Sequence, residues 1–430
     1  MKTPNAPLAL LLTLAVLAPM GCTAATPSPA ANITLARADI PRAAADPAAA
    51  KEAGGAITAF GLDFYHRFAT GTGNIVVSPA SIALALGMAR AGARGRTASE
   101  MDAVLRNLAT DEHAAWLNAL DAALGTRTGT FKDESGKDQT VTLRIANSLF
   151  SQQGMQLLDT YLQAMASRYG AGVRLVDYKA DAEGARKSIN AWVSGQTEQR
   201  IPELLVPGTI TPDDRLALVN AIYLKAAWLT PFTEAETKAA PFTRLDGSTV
   251  TTPFMASIGG LPYAEGSGWR AVQLPYVGGS LALTVILPDA FASFEQGLTA
   301  AGFDAITAAL KQRSVTLAFP RYSIESKAEL GQVLSAMGMP TAFQAGAADF
   351  SGMTTQEQLF IAAVIHQANM DVDEKGTTAA AATAVLMRAT ALPAEPVTVR
   401  LDRPFLFALR DVPTGTILFL GRVTDPAAKG

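Results

Sequence analysis

The sequence predicts a single large domain of mixed α/β class (α+β), and three observations predict it. The chain has 430 residues, 49% of them hydrophobic and 17% charged, which suffices to bury about three-quarters of the unfolded surface in a core. Helical spacing of apolar residues and strand-like alternation both recur along the body. Neither an internal repeat nor a second Pro/Gly-rich linker divides that body. It is therefore read as one domain, although length alone, at roughly 150 residues per domain, suggests two or three.

Taken in order, residues 1–22 read MKTPNAPLALLLTLAVLAPMGC, with Lys2 ahead of a ten-residue apolar run over 8–17. That run is too short to span a bilayer as a helix and fits a secretory signal over residues 1–21. The only cysteine, Cys22, follows Gly21 directly. Residues 22–53 are rich in Ala and Pro, with few large apolar side chains, and read as a flexible tether. The domain proper then covers residues 54–430.

Within it, Ile57, Phe60, Phe64 and Phe68 step by three and four along one helix face. Ser78–Pro79 reads as an N-cap followed by proline at the first helical position, opening a helix to about Arg90. Residues 141–149 alternate and predict a strand. A helix is expected over 182–196, with Ile189, Trp192 and Val193 inward. LALTVIL (281–287) and SVTLAF (314–319) predict strands, with a helical stretch near 303–310 between them. Strands over 359–372, 397–402, 405–409 and 416–423 fill the last quarter.

Composition excludes several function classes. The formal net charge is −3, from 35 Lys and Arg against 38 Asp and Glu, without the basic stripe that a nucleic-acid partner asks for. Three His and one Cys leave no ligand set for zinc, iron–sulfur or haem, so neither metal nor cofactor is expected. There is no Gly-x-Ser-x-Gly elbow and no Walker loop. GARGRT (92–97) lacks phosphate-loop spacing, and His66 and His113 read as surface residues. Nothing downstream fixes Cys22 near a base, so it is not read as a nucleophile.

One segment is odd on physical grounds. Residues 374–396 lie between two strands without a helical face or sustained alternation, and long connections of that kind in compact domains are usually functional. Its first half, KGTTAAAAT (375–383), holds one Gly and then only small or short side chains. Nothing in it forbids a strand.

VDEKGTTAAAAT (372–383) resembles the hinge of the serpins, a family of suicide protease inhibitors. SPASIALALGMARAGARGRT (78–97), NAIYLKAAW (220–228), VQLPY (272–276), ADFSGM (348–353), VIHQANM (364–370), DRPFLFALRD (402–411) and ILFLGRV (417–423) follow the order and approximate spacing of that family. Together they span about residues 56–426. Cys22 is similar to the lipidated cysteine of a bacterial lipobox, with Pro19 where Leu is usual. The alternative is an ordinary cleaved signal that contains a cysteine.

The resemblance implies a fold of three β-sheets and eight to nine helices with an exposed reactive-centre loop over about 374–396. It also implies a monomer. Cleavage of the loop would let its first half enter the large sheet as a new strand and drag the acyl-enzyme along. A strand entering a sheet buries alternate side chains. Thr377, Ala379, Ala381, Thr383 and Val385 form one such set, all small or β-branched and none charged or proline. The hinge itself covers Glu374, Lys375, Gly376, Thr377, Thr378, Ala379, Ala380, Ala381 and Ala382, with Gly376 supplying backbone freedom.

Carried over from the family, Glu374 would pair with Arg321, and Trp228 would stand at the top of the sheet where insertion starts. Ser78, Ser81, Asn220 and His366 would form a buried polar cluster holding the central strands closed. Counting 17 positions from Glu374 gives Thr390–Ala391 as the bait bond, which suits an elastase-like or subtilisin-like pocket. Arg388–Ala389 would suit a trypsin-like pocket, and Met387 or Leu392 a chymotrypsin-like one. The rival is a non-inhibitory serpin, cut in the loop as an anchored binding or decoy protein. A glycosaminoglycan-dependent inhibitor would carry clustered basic residues on the helix expected around 102–120, where Arg106 stands alone. The protein is expected to be exported, anchored by a lipid in the bacterial envelope (outer membrane or surface), or otherwise secreted or periplasmic. Thr23 after Cys22 does not signal inner-membrane retention.

Overall fold

In the computed structural model the described residues are Met1, 33–111, 113–377 and 395–428. Cys22, residues 2–21 of the signal, Thr378 to Ala382 of the hinge, and both candidate bait bonds lie outside them.

Two hydrogen-bonded sheet networks and nine α-helices are present among the described residues. The first sheet has the order Thr34–Ala36, Val173–Val176, Asp138–Gln152, Leu216–Ala227, Gly376–Thr377, Ala363–Val372 and Tyr322–Glu329, with Gly129–Lys132 paired to Asp138–Gln152. The second network has nine strands. Its eighteen-residue strand Thr249–Gly266 pairs with Lys238–Thr243 and Lys311–Pro320 along most of its length, then continues against Trp269–Pro275 from Tyr263 onward. One long strand thus joins two sheets, which is how a three-sheet fold appears as two networks.

The helix Pro79–Gly92 is buried on every side, with only Ala91 partly exposed, as an apolar stretch without a polar face requires. Ser78 caps it by accepting from the Ser81 backbone N–H, and Pro79 occupies its first turn. This helix carries Ser78 and Ser81 beneath the centre of the first sheet, where its residues pack on Asp138–Gln152 and Leu216–Ala227.

The expected tether is corrected where it is described. Thr34–Ala36 joins the first sheet as an edge strand, Leu35 opposite Arg174, and a 22-residue helix, Pro47–Phe68, starts well before Ala56. Asp46 caps that helix through the Ala48 N–H and Pro47 takes its first turn, the same signal as Ser78–Pro79. Its small residues allow close packing rather than looseness: Ala50 and Ala53 are buried, and a Cβ on Gly54 would lie 2.1 Å from the Thr414 carbonyl oxygen.

Other boundaries shift modestly. The helix expected at 182–196 begins earlier, as Tyr178–Gln196, and the strand expected from 359 begins at Ala363. The helix expected around 102–120 is two, Gly95–Val104 and Ala114–Gly125, and Arg106 between them pairs with Asp63. His66 and His113 are half-buried rather than surface residues. His66 Nε2 contacts the Leu298 carbonyl at 2.8 Å, and His113 lies against the Trp116 ring with centroids 4.3 Å apart.

Candidate functional site

The centre of the first sheet contains a seam. Leu216–Ala227 and Ala363–Val372 run parallel and pair directly from Ala217/Ala363 to Ile222/Ala368. Beyond that point Gly376 and Thr377 lie between them. Gly376 and Thr377 pair antiparallel with Ala227 and Ala226, and Thr377 also pairs with Val372. The first two residues of a strand are thus already seated in the sheet, with flanking strands on both sides.

Sequence chemistry explains why the chain turns there. Asp373 Oδ1 accepts from the Lys375 N–H at 2.8 Å and the Gly376 N–H at 3.1 Å, an Asx-type turn. Gly376 has φ of +152°, and a Cβ would sit 2.0 Å from the Ala226 carbonyl oxygen. Only glycine fits between the strands there.

Glu374 is buried, and its Oε1 accepts from Arg321 Nε at 2.7 Å and from the Thr237 hydroxyl. Burial alone would raise its carboxyl, but the hydrogen bonds from Arg321 and Thr237 outweigh it and hold the group below the ordinary carboxylate value. Trp228 closes the top of the seam. Its indole N–H donates to the Asp373 carbonyl at 2.9 Å, its backbone N–H donates to the Lys375 carbonyl, and its ring stacks on Tyr276 at 4.5 Å. The Tyr276 hydroxyl lies 2.5 Å from that of Thr377.

About the point where direct pairing holds, Ser78, Ser81, Asn220 and His366 come together in one network. His366 is opposite Asn220 in register. Its Nε2 accepts from the Ser78 backbone N–H at 3.1 Å, so the ring proton is assigned to Nδ1, which faces the Asn220 side-chain oxygen. Asn220 Nδ2 donates to Ser81 Oγ at 2.6 Å. Complete burial pushes the His366 imidazole down to about 3, so it is neutral at physiological pH.

Several partners have no place in the sequence reading. Asn147 accepts from Asn220 Nδ2 at 2.7 Å and from Ser81 Oγ at 2.9 Å, and it donates to the Ser81 carbonyl at 2.8 Å. A polar residue within the apolar pattern of 141–149 was the available signal. Tyr276 lies in the quoted VQLPY segment, but its role depends on Thr377, a hundred residues away in sequence. Thr237 and Asp373 carried no signal beyond residue type. Chemically the site offers a gap in a hydrogen-bonded sheet, gated above by the hinge and below by a satisfied polar network.

Comparison with known proteins accounts for this geometry. The family model Serpin (serine protease inhibitor) matches residues 55–426. An uncharacterised serpin-like protein of Thermococcus kodakarensis is 37% identical over 375 residues, 86% of this chain and 85% of that one. The leukocyte elastase inhibitor of Equus caballus is 34% identical over 383 residues, 86% of this chain and 98% of its own. The solved structure of Tengpin, a thermophilic serpin in its native state, superposes with a TM-score of 0.78 at 26% identity, covering 91% of this chain and 97% of that one. The chain belongs to the serpins, a family of protease inhibitors and not of enzymes. Its mixed α/β fold is the serpin fold.

Proposed function

We propose that this serpin is an irreversible suicide inhibitor of serine endopeptidases, and of cysteine endopeptidases that cut the same loop. The carrying observation is Gly376–Thr377, held between two strands that pair directly with each other further along. Loop residues following Thr377 are small and uncharged through Thr383, so they can extend that two-residue strand once cleavage frees the far end. Each inserted residue adds ladder hydrogen bonds, each worth about 1 kcal/mol net. That gain is available only after the loop is cut.

In this reading the protease serine attacks the Thr390 carbonyl and Ala391 leaves as the new amino terminus, with Arg388–Ala389 as the alternative bond. Insertion then pulls the acyl-enzyme away before water hydrolyses it. An elastase-like or subtilisin-like target is favoured because Thr390 is small, and the leukocyte elastase inhibitors among the relatives support that class. The His366 network would act as the latch that the incoming strand parts, and Glu374, Arg321 and Trp228 would hold its entrance. Export and lipid anchoring through Cys22 complete the proposal.

The test mixes the purified protein with pancreatic elastase, subtilisin and trypsin and examines each on a denaturing gel, with the released C-terminal peptide sequenced by mass. A detergent-stable adduct with elastase or subtilisin, and a peptide beginning at Ala391, are expected. A peptide beginning at Ala389 moves the bond to Arg388. Thr377→Arg, which puts a charge into a buried seam position, is expected to turn the adduct into clean cleavage. Clean cleavage of the unaltered chain by every protease would instead favour the anchored binding or decoy protein.

A further inference from the structure

A cavity of about 350 Å³ lies on the first sheet, away from the hinge, at the lower end of the roughly 300–1,000 Å³ of small-molecule sites. Leu84, Met88 and Ile145 line part of it, and Trp192 another wall. Its charged lining residues are Arg37, Arg174 and Asp121. Asp121 is already committed, paired with Arg42 at 2.8 Å. The Tyr169 hydroxyl donates to the Gly87 carbonyl at 2.8 Å and is likewise spent.

The arginines are not. Arg174 is half-buried on the strand Val173–Val176, its guanidinium 4.7 Å from the centroid of the Trp192 ring. Its Nε is buried with no hydrogen-bond partner among the described residues. Arg37 is exposed on the edge segment at the rim of the cavity. A half-buried guanidinium whose Nε has no partner is costly, and burial pulls the Arg174 guanidinium down from its ordinary value. A bound anion relieves that cost, and an arginine fork matches a carboxylate in particular.

We propose that this cavity binds a small organic carboxylate, with Arg174 and Arg37 taking the carboxylate oxygens and Trp192, Leu84, Met88 and Ile145 enclosing its apolar body. The site also reaches the centre of the sheet. Asn147 lines the cavity while bonding Asn220 and Ser81, so an occupant braces the network that holds the central strands together. This second consequence is independent of whether the protein inhibits a protease.

Benzoate is the probe, with benzamide as its uncharged match, titrated into the full chain and followed by calorimetry and thermal unfolding. Benzoate is expected to bind at millimolar concentration and raise the unfolding midpoint, and benzamide to bind at least tenfold more weakly. Arg174→Gln is expected to weaken benzoate about tenfold, as loss of one charge-assisted pair predicts. Arg37→Gln, on the edge segment, gives the same reading if the first variant folds poorly. Hydrogen exchange at residues 219–222 and 365–368 is expected to slow with benzoate bound. Equal binding of benzamide, no binding of benzoate, or undiminished binding by both variants overturns the site. Unchanged exchange with benzoate bound overturns the coupling alone.

Discussion

The hydroxyls of Tyr276 and Thr377 meet at 2.5 Å inside the protein, the phenol fully buried and the threonine 2% exposed. This one contact ties the hinge of the loop to the second sheet network, since Tyr276 follows the strand Trp269–Pro275 and bridges to Trp228. Burial raises the phenol well above its ordinary value, so it stays protonated. Thr377→Val keeps the shape and removes the partner, leaving a buried phenol unsatisfied at a cost of about 1–3 kcal/mol. The double variant with Tyr276→Phe removes both polar groups and is expected to recover most of that loss. Urea unfolding of the two singles and the double checks it, and strictly additive losses would sink the argument.

Gly376 makes a sharper case. Alanine there would need a positive φ and would collide with the Ala226 carbonyl. Gly376→Ala is therefore expected to expel the two-residue strand while sparing the rest of the sheet. Hydrogen exchange should then lose protection at Gly376 and Thr377 and keep it at His366. Retained protection at Gly376 and Thr377 would contradict the seated geometry.

The Glu374–Arg321 pair is asymmetric, the carboxylate side chain 4% exposed and the guanidinium 42%. Removing the carboxylate leaves an arginine that water can reach, so Glu374→Ala is expected to cost about 1 kcal/mol. Removing the arginine strands a buried carboxylate, and Arg321→Ala is expected to cost more, about 3 kcal/mol at pH 7. In the intact protein the carboxyl is held below 4.5, so its contribution is complete above that pH and fades as acid protonates it. Without Arg321 the carboxyl loses its largest charge-favouring partner and rises relative to the intact protein, so the deficit shrinks as pH falls. A deficit independent of pH in urea unfolding would mean that the charge is not what Arg321 serves.

His366 acts in the same direction over a window that opens at higher pH. Its folded value of about 3 lies below the ordinary 6.5, so the unfolded chain binds the extra proton between those values. Stability from the neutral ring is fully present above pH 6.5 and lost on acidification, by about 1.4 kcal/mol per unit down to the folded value. Protonation would also cost the Ser78 N–H its acceptor. His366→Gln keeps hydrogen-bonding capacity without titrating. Its urea midpoint is expected to fall less steeply than that of the unaltered chain between pH 6.5 and 4.5. Parallel slopes would place the acid sensitivity elsewhere.

What the sequence made legible were local signals. Ser78–Pro79 announces its helix because cap and proline act within one turn. The small residues after Gly376 state their fitness for a strand because burial in a sheet has a simple steric rule. Glu374 and Arg321 became a pair only through the family resemblance, since 53 positions separate them. Asn147 showed only as a polar residue in an apolar pattern, and Tyr276 only as part of VQLPY, because their partners Ser81, Asn220 and Thr377 lie far away in sequence, which no local pattern encodes. The segment before Ala56 differs for another reason: its Ala-rich composition suggests a tether, yet the Asp46–Pro47 cap obeys the same chemistry as Ser78–Pro79 and opens a helix.

Residues 33–46 also do structural work that a tether would not. Thr34–Ala36 extends the first sheet beside Val173–Val176. Arg42 pairs with Asp121 at 2.8 Å and donates to the Asn118 side chain at 2.6 Å, and Asn118 returns a hydrogen bond to the Ala43 carbonyl at 3.0 Å. The Ala43 N–H reaches the Ser167 carbonyl at 2.9 Å, on the helix Asp159–Tyr169. The segment therefore clamps two helices and one sheet edge. A chain beginning at Asp46 keeps the helix cap but loses every one of these contacts, and its unfolding midpoint is expected to fall by several degrees relative to a chain beginning at Ile33. Arg42→Ala alone, with both ion-pair side chains about one-third exposed, is expected to account for about 1 kcal/mol of that. The truncation also removes Leu35 and Arg37 from the cavity, so benzoate should stabilise the shorter chain less. Indistinguishable midpoints for the two chains would restore the tether and leave the edge strand without energetic consequence.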